Sequence, residues 1–124
     1  MNQYGVLTTA EEIAEMEPEY YITPKEEGEF EFDIDFRTWY PYGQALICYG
    51  YDFENRQFIK LFAWRRAVNG EMIYAPKETD VDMSKVKDGS LWKVTLGKNK
   101  RGKVEWKTAE FIEDIDEGIE DEEV

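Results

Sequence analysis

From Glu29 to Phe36 the chain reads EFEFDIDF, with an acid at every odd position and an apolar residue at every even one. Successive side chains of a strand point to opposite faces, so this period of two specifies a β-strand with one wet and one buried face. A helix would scatter the same residues around its circumference. Phe30, Phe32, Ile34 and Phe36 are therefore predicted to face a core, and Glu29, Glu31, Asp33 and Asp35 to face away.

The rest of the chain reads as further short strands between turn signals. The stretch RTWYPYGQ (37–44) is expected to be a loop, followed by a second strand over 45–52. The turn DFEN leads into a third strand at about 56–66. Asn69-Gly70 is a strong two-residue hairpin signal, so 72–75 should fold back as a short strand. DVDMSKVKDG (80–89) suggests one or two helical turns ended by Gly89. SLWKVTL (90–96) and KVEWKTAEF (103–111) read as two more strands, with Trp92 and Trp106 on their core sides. The basic loop GKNKRGK joins them. Near the N-terminus, TTAEEIAEM suggests a short helix capped by Thr8 or Thr9 and ended by Pro18.

This order, with one helical insertion and no strand–helix alternation, predicts an all-β fold. The expected form is a small five-stranded OB-like barrel with a short helix between strands three and four, plus the short N-terminal helix. An SH3-like or other small open barrel is the alternative. The expected division is an acidic N-terminal segment over 1–28, the barrel over 29–112 and a disordered acidic tail over 113–124. The tail's acids are too dense, and its apolar residues too few, to offset the entropy of ordering it.

A hydrophobic fraction of 42% supports a folded chain, and the 124 residues suffice for one core. The formal net charge of −13 is unevenly distributed. Residues 11–35 hold eleven acids against Lys25 alone, residues 36–112 hold nine acids and fourteen bases, and residues 113–124 hold eight acids and no base. The middle is basic and the flanks are acidic, so the total does not set the sign of the working surface.

The chain contains no histidine and one cysteine, Cys48. The common zinc sites and the Ser-His-Asp and Cys-His catalytic arrangements cannot be assembled from such a set, and neither an enzyme nor a cofactor is expected. One cysteine provides no internal disulfide framework. The N-terminal stretch lacks a basic segment followed by an apolar one, and no apolar run is long enough to span a bilayer. The expectation is a cytoplasmic protein without a membrane partner.

The stretch FIKLFAWRR (58–66) puts Ile59, Leu61 and Ala63 on one face and Phe58, Lys60, Phe62, Trp64 and Arg66 on the other. The second strand adds Tyr49 and Tyr51 at the same spacing. The loop before it holds Arg37, Trp39, Tyr40 and Tyr42, and the basic loop holds Lys98, Lys100, Arg101 and Lys103. In an OB-like barrel these four elements converge on one surface. Aromatic rings beside cations suit single-stranded nucleic acid. Unstacked bases lie on rings at roughly 1–3 kcal/mol each, and phosphates draw lysine and arginine. The alternative is that several of these rings are packed, as is common in small barrels.

The combination resembles the small OB-fold single-stranded-DNA-binding proteins of bacteriophages and bacteria, which carry a disordered acidic C-terminus. The resemblance covers about 30–124 as a pattern of elements and charge. It implies single-stranded DNA as partner, a place in replication, recombination or repair, and a tail that recruits partner proteins or competes for the basic groove. That tail would comprise Glu113, Asp114, Asp116, Glu117, Glu120, Asp121, Glu122, Glu123 and Val124. It ends DEEV, whereas tails of that family often end in an aromatic residue. Two other readings start from the acids: a nucleic-acid mimic presenting Glu29, Glu31, Asp33 and Asp35, with Glu11 to Glu19 nearby, or a divalent-cation site at Asp33 and Asp35.

Overall fold

The alternating stretch forms a strand, and that strand runs well past Phe36. The computed structural model describes residues 7–8 and 21–115. In chain order the strands are β1 (Leu7–Thr8), β2 (Gly28–Trp39), β3 (Ala45–Asp52), β4 (Gln57–Val68), β5 (Glu71–Tyr74), β6 (Ser90–Lys98) and β7 (Val104–Asp114). Six of them pair antiparallel in the order β5-β4-β3-β2-β6-β7, and β1 adds in parallel beside Arg37 and Thr38 of β2. The sheet curls into a half-barrel.

The all-β expectation holds, but the count of strands and the helices differ. Residues expected to form a helix between the third and fourth strands make only a single 3-10 turn at Met83–Lys85. The Asp82 carboxylate caps it, accepting from the Ser84 N–H at 3.1 Å and the Ser84 hydroxyl at 2.8 Å. Thr8 lies in β1, and the rest of the predicted N-terminal helix lies outside the described residues. Glu113 and Asp114 belong to β7, paired with Leu91 and Ser90 of β6, so the expected tail begins too early by that much. The remaining tail residues, from Asp116 on, lie outside the described residues.

The hairpin at Asn69-Gly70 forms with φ of 51° and 85°, the two left-handed conformations that such a tight turn needs. The β3–β4 turn is held by buried Asp52. Its carboxylate accepts from the backbone N–H groups of Glu54 and Asn55 at 2.9 and 3.0 Å and from the Asn55 side chain at 2.8 Å.

A bulge changes the face assignment of β2. Ile34 pairs with Gly50 and Phe36 with Tyr49, so β2 spends two residues where β3 spends one, and Asp35 is the extra one. Side chains beyond it exchange faces. Phe30, Phe32 and Ile34 enter the concave core with Leu46, Cys48, Ile59, Leu61, Trp92, Val94 and Trp106. Phe36, expected beside them, packs instead on the convex face against Tyr21, Ile47 and Tyr49. Arg37 is turned inward and 2% exposed. Its Nε donates to the Asp88 carboxylate at 2.8 Å and its Nη1 to the Met83 carbonyl at 2.9 Å, which anchors the 3-10 turn to the sheet.

Among the described residues, the two ends of the curled sheet, β4–β5 and β7, are fastened through the linker after β5. The linker after β5 donates from Lys77 N–H to the Trp106 carbonyl at 3.0 Å and from Glu78 N–H to the Lys107 carbonyl at 2.7 Å. Beyond that fastening, β4 and β7 face each other without pairing among the described residues.

Candidate nucleic-acid interface

β4 presents the two faces its alternation predicts. Ile59, Leu61 and Ala63 are buried in the core, and Phe58, Lys60, Phe62, Trp64 and Arg66 alternate with them on the convex side. That convex side is not uniformly open, because half of it is roofed by the strap that precedes β2.

Ile22 pairs in parallel with Ile59 at the β4 edge. Its N–H donates to the Phe58 carbonyl at 3.1 Å, and its carbonyl accepts from Lys60 N–H at 3.0 Å. This carries Tyr21 over the sheet, where its ring meets Tyr49, Phe58 and Phe36 edge-on at centroid distances of 5.1, 5.5 and 5.7 Å. Tyr49 stacks on Phe36 at 4.6 Å, and Tyr51 packs edge-on against Phe53 and Phe58, both at 5.0 Å. Tyr49, Tyr51 and Phe58, expected as open rings, are thus members of a second aromatic cluster. Tyr49 is 1% exposed. The only signal in the sequence was that Tyr21 and Ile22 interrupt an acidic segment.

Two more expectations change. Trp39 lies in β2 and not in a loop; beyond the bulge it points to the core and packs edge-on against Tyr74 at 4.8 Å. Arg66 clamps the linker after β5. Its Nη2 donates to the carbonyls of Pro76 and Thr79 and to the Asp80 carboxylate, at 2.8, 3.0 and 2.9 Å. Both side chains are partly buried and engaged in holding the barrel together.

The other half of the face is open. Trp64 is 41% exposed and lies nearly parallel to half-buried Phe62, with centroids 6.1 Å apart and 19° between planes. Tyr40 stands edge-on to both at 5.8 Å. It is placed by the turn at Pro41–Gly43, where Tyr40 N–H donates to the Ala45 carbonyl and the Tyr74 hydroxyl donates to the Gly43 carbonyl. Tyr42, on the same turn, is 93% exposed with φ of 63°. The turn is thus tied to the barrel on both sides while holding one tyrosine entirely in solvent.

Beside these rings a groove of about 430 Å³ runs between β4 and the β6–β7 hairpin. Tyr40, Lys60, Phe62 and Trp64 line one wall, Asn99, Lys103 and Val104 the other, and Leu61, Leu96 and Trp106 the floor. Thr23 and Pro24 of the strap stand at one end. Asn99 shapes the hairpin: its side-chain oxygen accepts from the N–H groups of Arg101 and Lys103 at 2.8 and 3.0 Å. Lys98, Lys100 and Arg101 are exposed on that hairpin, outside the groove itself.

Glu105 is the one acid lining the groove, and it is engaged by Lys107 at 2.9 Å. The hydrogen bond that Lys107 donates to the Glu105 carboxylate raises the Lys107 pKa, with the nearby Glu78 and Glu27 carboxylates adding to the effect, so the ammonium stays charged at neutral pH. The groove's remaining charged lining is Lys60 and Lys103. Glu29, Glu31 and Asp33 of β2 stand on the face opposite the core-facing Phe30, Phe32 and Ile34, with Asp35 at the bulge. Glu29 lies 3.7 Å from the Lys93 ammonium, Asp35 accepts from the Tyr21 hydroxyl at 3.4 Å, and Glu31 is exposed. Among the described residues no group of three or more possible ligands is placed to hold a metal ion.

Cys48 is buried, and burial pushes its thiol up to about 12, against a smaller opposing effect of Arg37. It stays protonated at neutral pH and is no nucleophile. Among the described residues no helix is long and apolar enough to cross a membrane. No family model, curated protein or solved structure matches the chain. What can be said of its role therefore rests on this geometry.

Proposed function

We propose that the protein binds single-stranded DNA without strong sequence preference and without catalysing a reaction on it. The observation that carries this reading is the Tyr40–Phe62–Trp64 ring cluster on the open half of β4, flanked by Lys60 and Lys103. Rings exposed beside cations match what a single strand presents, flat base faces at intervals along a chain of phosphates. A duplex, whose bases already stack on each other, has less use for exposed rings. Tyr42, Lys98, Lys100 and Arg101 extend the surface beyond the groove.

The strand order supports an OB-like reading of the half-barrel. A meander of β2, β3 and β4 is followed by the β6–β7 hairpin on the other side of β2. The successive antiparallel pairings make β4 and β7 run in the same direction across the opening. A partly open five-stranded barrel has this arrangement, with its binding face on the second and third strands. Preference for DNA over RNA comes from the resemblance alone, as does a role in replication, recombination or repair with the acidic tail as a docking segment.

The test is a titration of fluorescent oligo(dT) with the full chain at low salt, read by anisotropy and by quenching of tryptophan emission. Binding that weakens with salt is expected. Trp64→Ala and Phe62→Ala should each weaken it by roughly 1–3 kcal/mol, about 5- to 150-fold, with the circular dichroism spectrum unchanged. Absence of binding both in the full chain and in a chain ending at Ile115 would sink the reading.

A further inference from the structure

The strap begins a strand on β4 and does not finish it. Ile22 makes both bonds of a parallel pairing, donating to the Phe58 carbonyl and accepting from Lys60 N–H. In that pattern the even-numbered residues of β4 turn their backbone groups to the strap side, and the odd ones turn theirs to β3. The next donor along the strap would be residue 24, which is proline and has no N–H. Pairing stops there, and the chain leaves the edge. On the far side β5 does not begin to pair until Arg65.

Between these two covers, the N–H and carbonyl of Phe62 and the N–H of Trp64 face the groove. Among the described residues none of them has a backbone partner on that edge. The opposite wall is similar. The Trp106 carbonyl turns away from β6 to receive Lys77 N–H, so Val104, two residues earlier, also turns its backbone groups to the groove, and no backbone partner meets them there among the described residues. Open edges are templates for an added strand, and proteins usually cover or charge them. Here the rim carries two lysines, Lys60 and Lys103, and its one acid, Glu105, is held by Lys107.

We propose that the open β4 edge at Phe62–Trp64 takes an extended acidic peptide from a partner protein as an added strand parallel to β4, in the position that Pro24 prevents the strap from filling. Main-chain bonds to Phe62 and Trp64 supply the affinity, and the lysine rim selects acidic side chains over basic ones. The inference concerns the edge of β4 and does not depend on nucleic acid binding to its face.

The experiment titrates the full chain, without DNA, with a fluorescein-labelled peptide of four Val-Glu repeats at about 0.15 M salt, where the Debye length is about 8 Å and the distant acids are screened. A peptide of four Val-Lys repeats is the charge control. Two N-methylated versions of the acidic peptide carry the methyl groups on the valine amides or on the glutamate amides. In a strand only alternate amides point to one neighbour, so methylation of one set should cost at least tenfold and of the other less than about threefold. The amides of Phe62 and Trp64 should also gain hydrogen-exchange protection in the complex. Three results would each overturn the proposal: no binding up to about 1 mM peptide, equal binding of the Val-Lys peptide, or equal losses from the two methylation patterns. Loss of binding in Lys60→Glu/Lys103→Glu, with the thermal midpoint retained, supports the charge selection.

Discussion

A Cβ on Gly50 would overlap the backbone carbonyl of Asp33, where β2 and β3 crowd together next to the bulge. A glycine inside a strand pattern signals such a close approach, and the sequence carries that signal, but it cannot name the partner backbone. Gly50→Ala should cost about 1–3 kcal/mol in urea denaturation, the range for overpacking; a loss under about 0.5 kcal/mol would mean that the bulge yields freely. Cys48 gives a prediction in pH. Its folded pKa lies above the unfolded one, so its contribution is complete below the unfolded value and is lost as pH rises towards about 12. Between pH 9 and 10.5 the folded wild type should lose up to about 1.4 kcal/mol per pH unit relative to Cys48→Ala. Parallel denaturation curves for the two proteins over that range would show that the thiol is not held neutral by the fold. At Trp64 the alternation correctly indicated a ring on the convex side, whereas at Tyr49 the same alternation said nothing about the roof formed by Tyr21.

Strands were legible at the scale of elements because period two survives in composition, as in EFEFDIDF and FIKLFAWRR. A bulge is not legible in that way. One extra residue at Asp35 exchanges the faces of everything after it, and Phe36-Arg37-Thr38-Trp39 has an apolar residue in either register. This is why Phe36 lies on the side opposite to the one expected, why Trp39, expected in a loop, turns to the core, and why Arg37 proved to be a buried anchor. The end of β7 was hidden for a related reason. Its last residues are acidic and read as tail, yet Glu113 and Asp114 pair with β6, and Ile115 N–H donates to the Gly89 carbonyl at 2.7 Å. Charged residues at a strand end cost little when only one of their faces is covered. A chain ending at Ile112 should therefore lose about 2–4 kcal/mol, from some three backbone hydrogen bonds, while one ending at Ile115 should stay within about 0.5 kcal/mol of the full chain. Thermal or urea unfolding of the two truncations decides this.

For the whole molecule, a formal charge of −13 coexists with a basic and aromatic surface because the acids lie at the two flanks of the sequence. Net charge alone would have excluded a polyanionic partner; its distribution along the chain does not. If single-stranded DNA is bound as proposed, the logarithm of affinity should fall linearly with the logarithm of salt, by about 0.7 for each phosphate neutralised. Replacing Lys100 and Arg101 together by Ala should reduce that slope by about 1.4, with little change in tryptophan quenching. An unchanged slope would remove the hairpin from the interface. The fastening of Lys77 and Glu78 to β7 has a mechanical meaning as well. Among the described residues the barrel is buttoned by that linker and has no backbone bond between β4 and β7 towards the hairpin. Widening that opening would break no backbone bond between β4 and β7, whereas parting the barrel at the linker would break the bonds from Lys77 and Glu78.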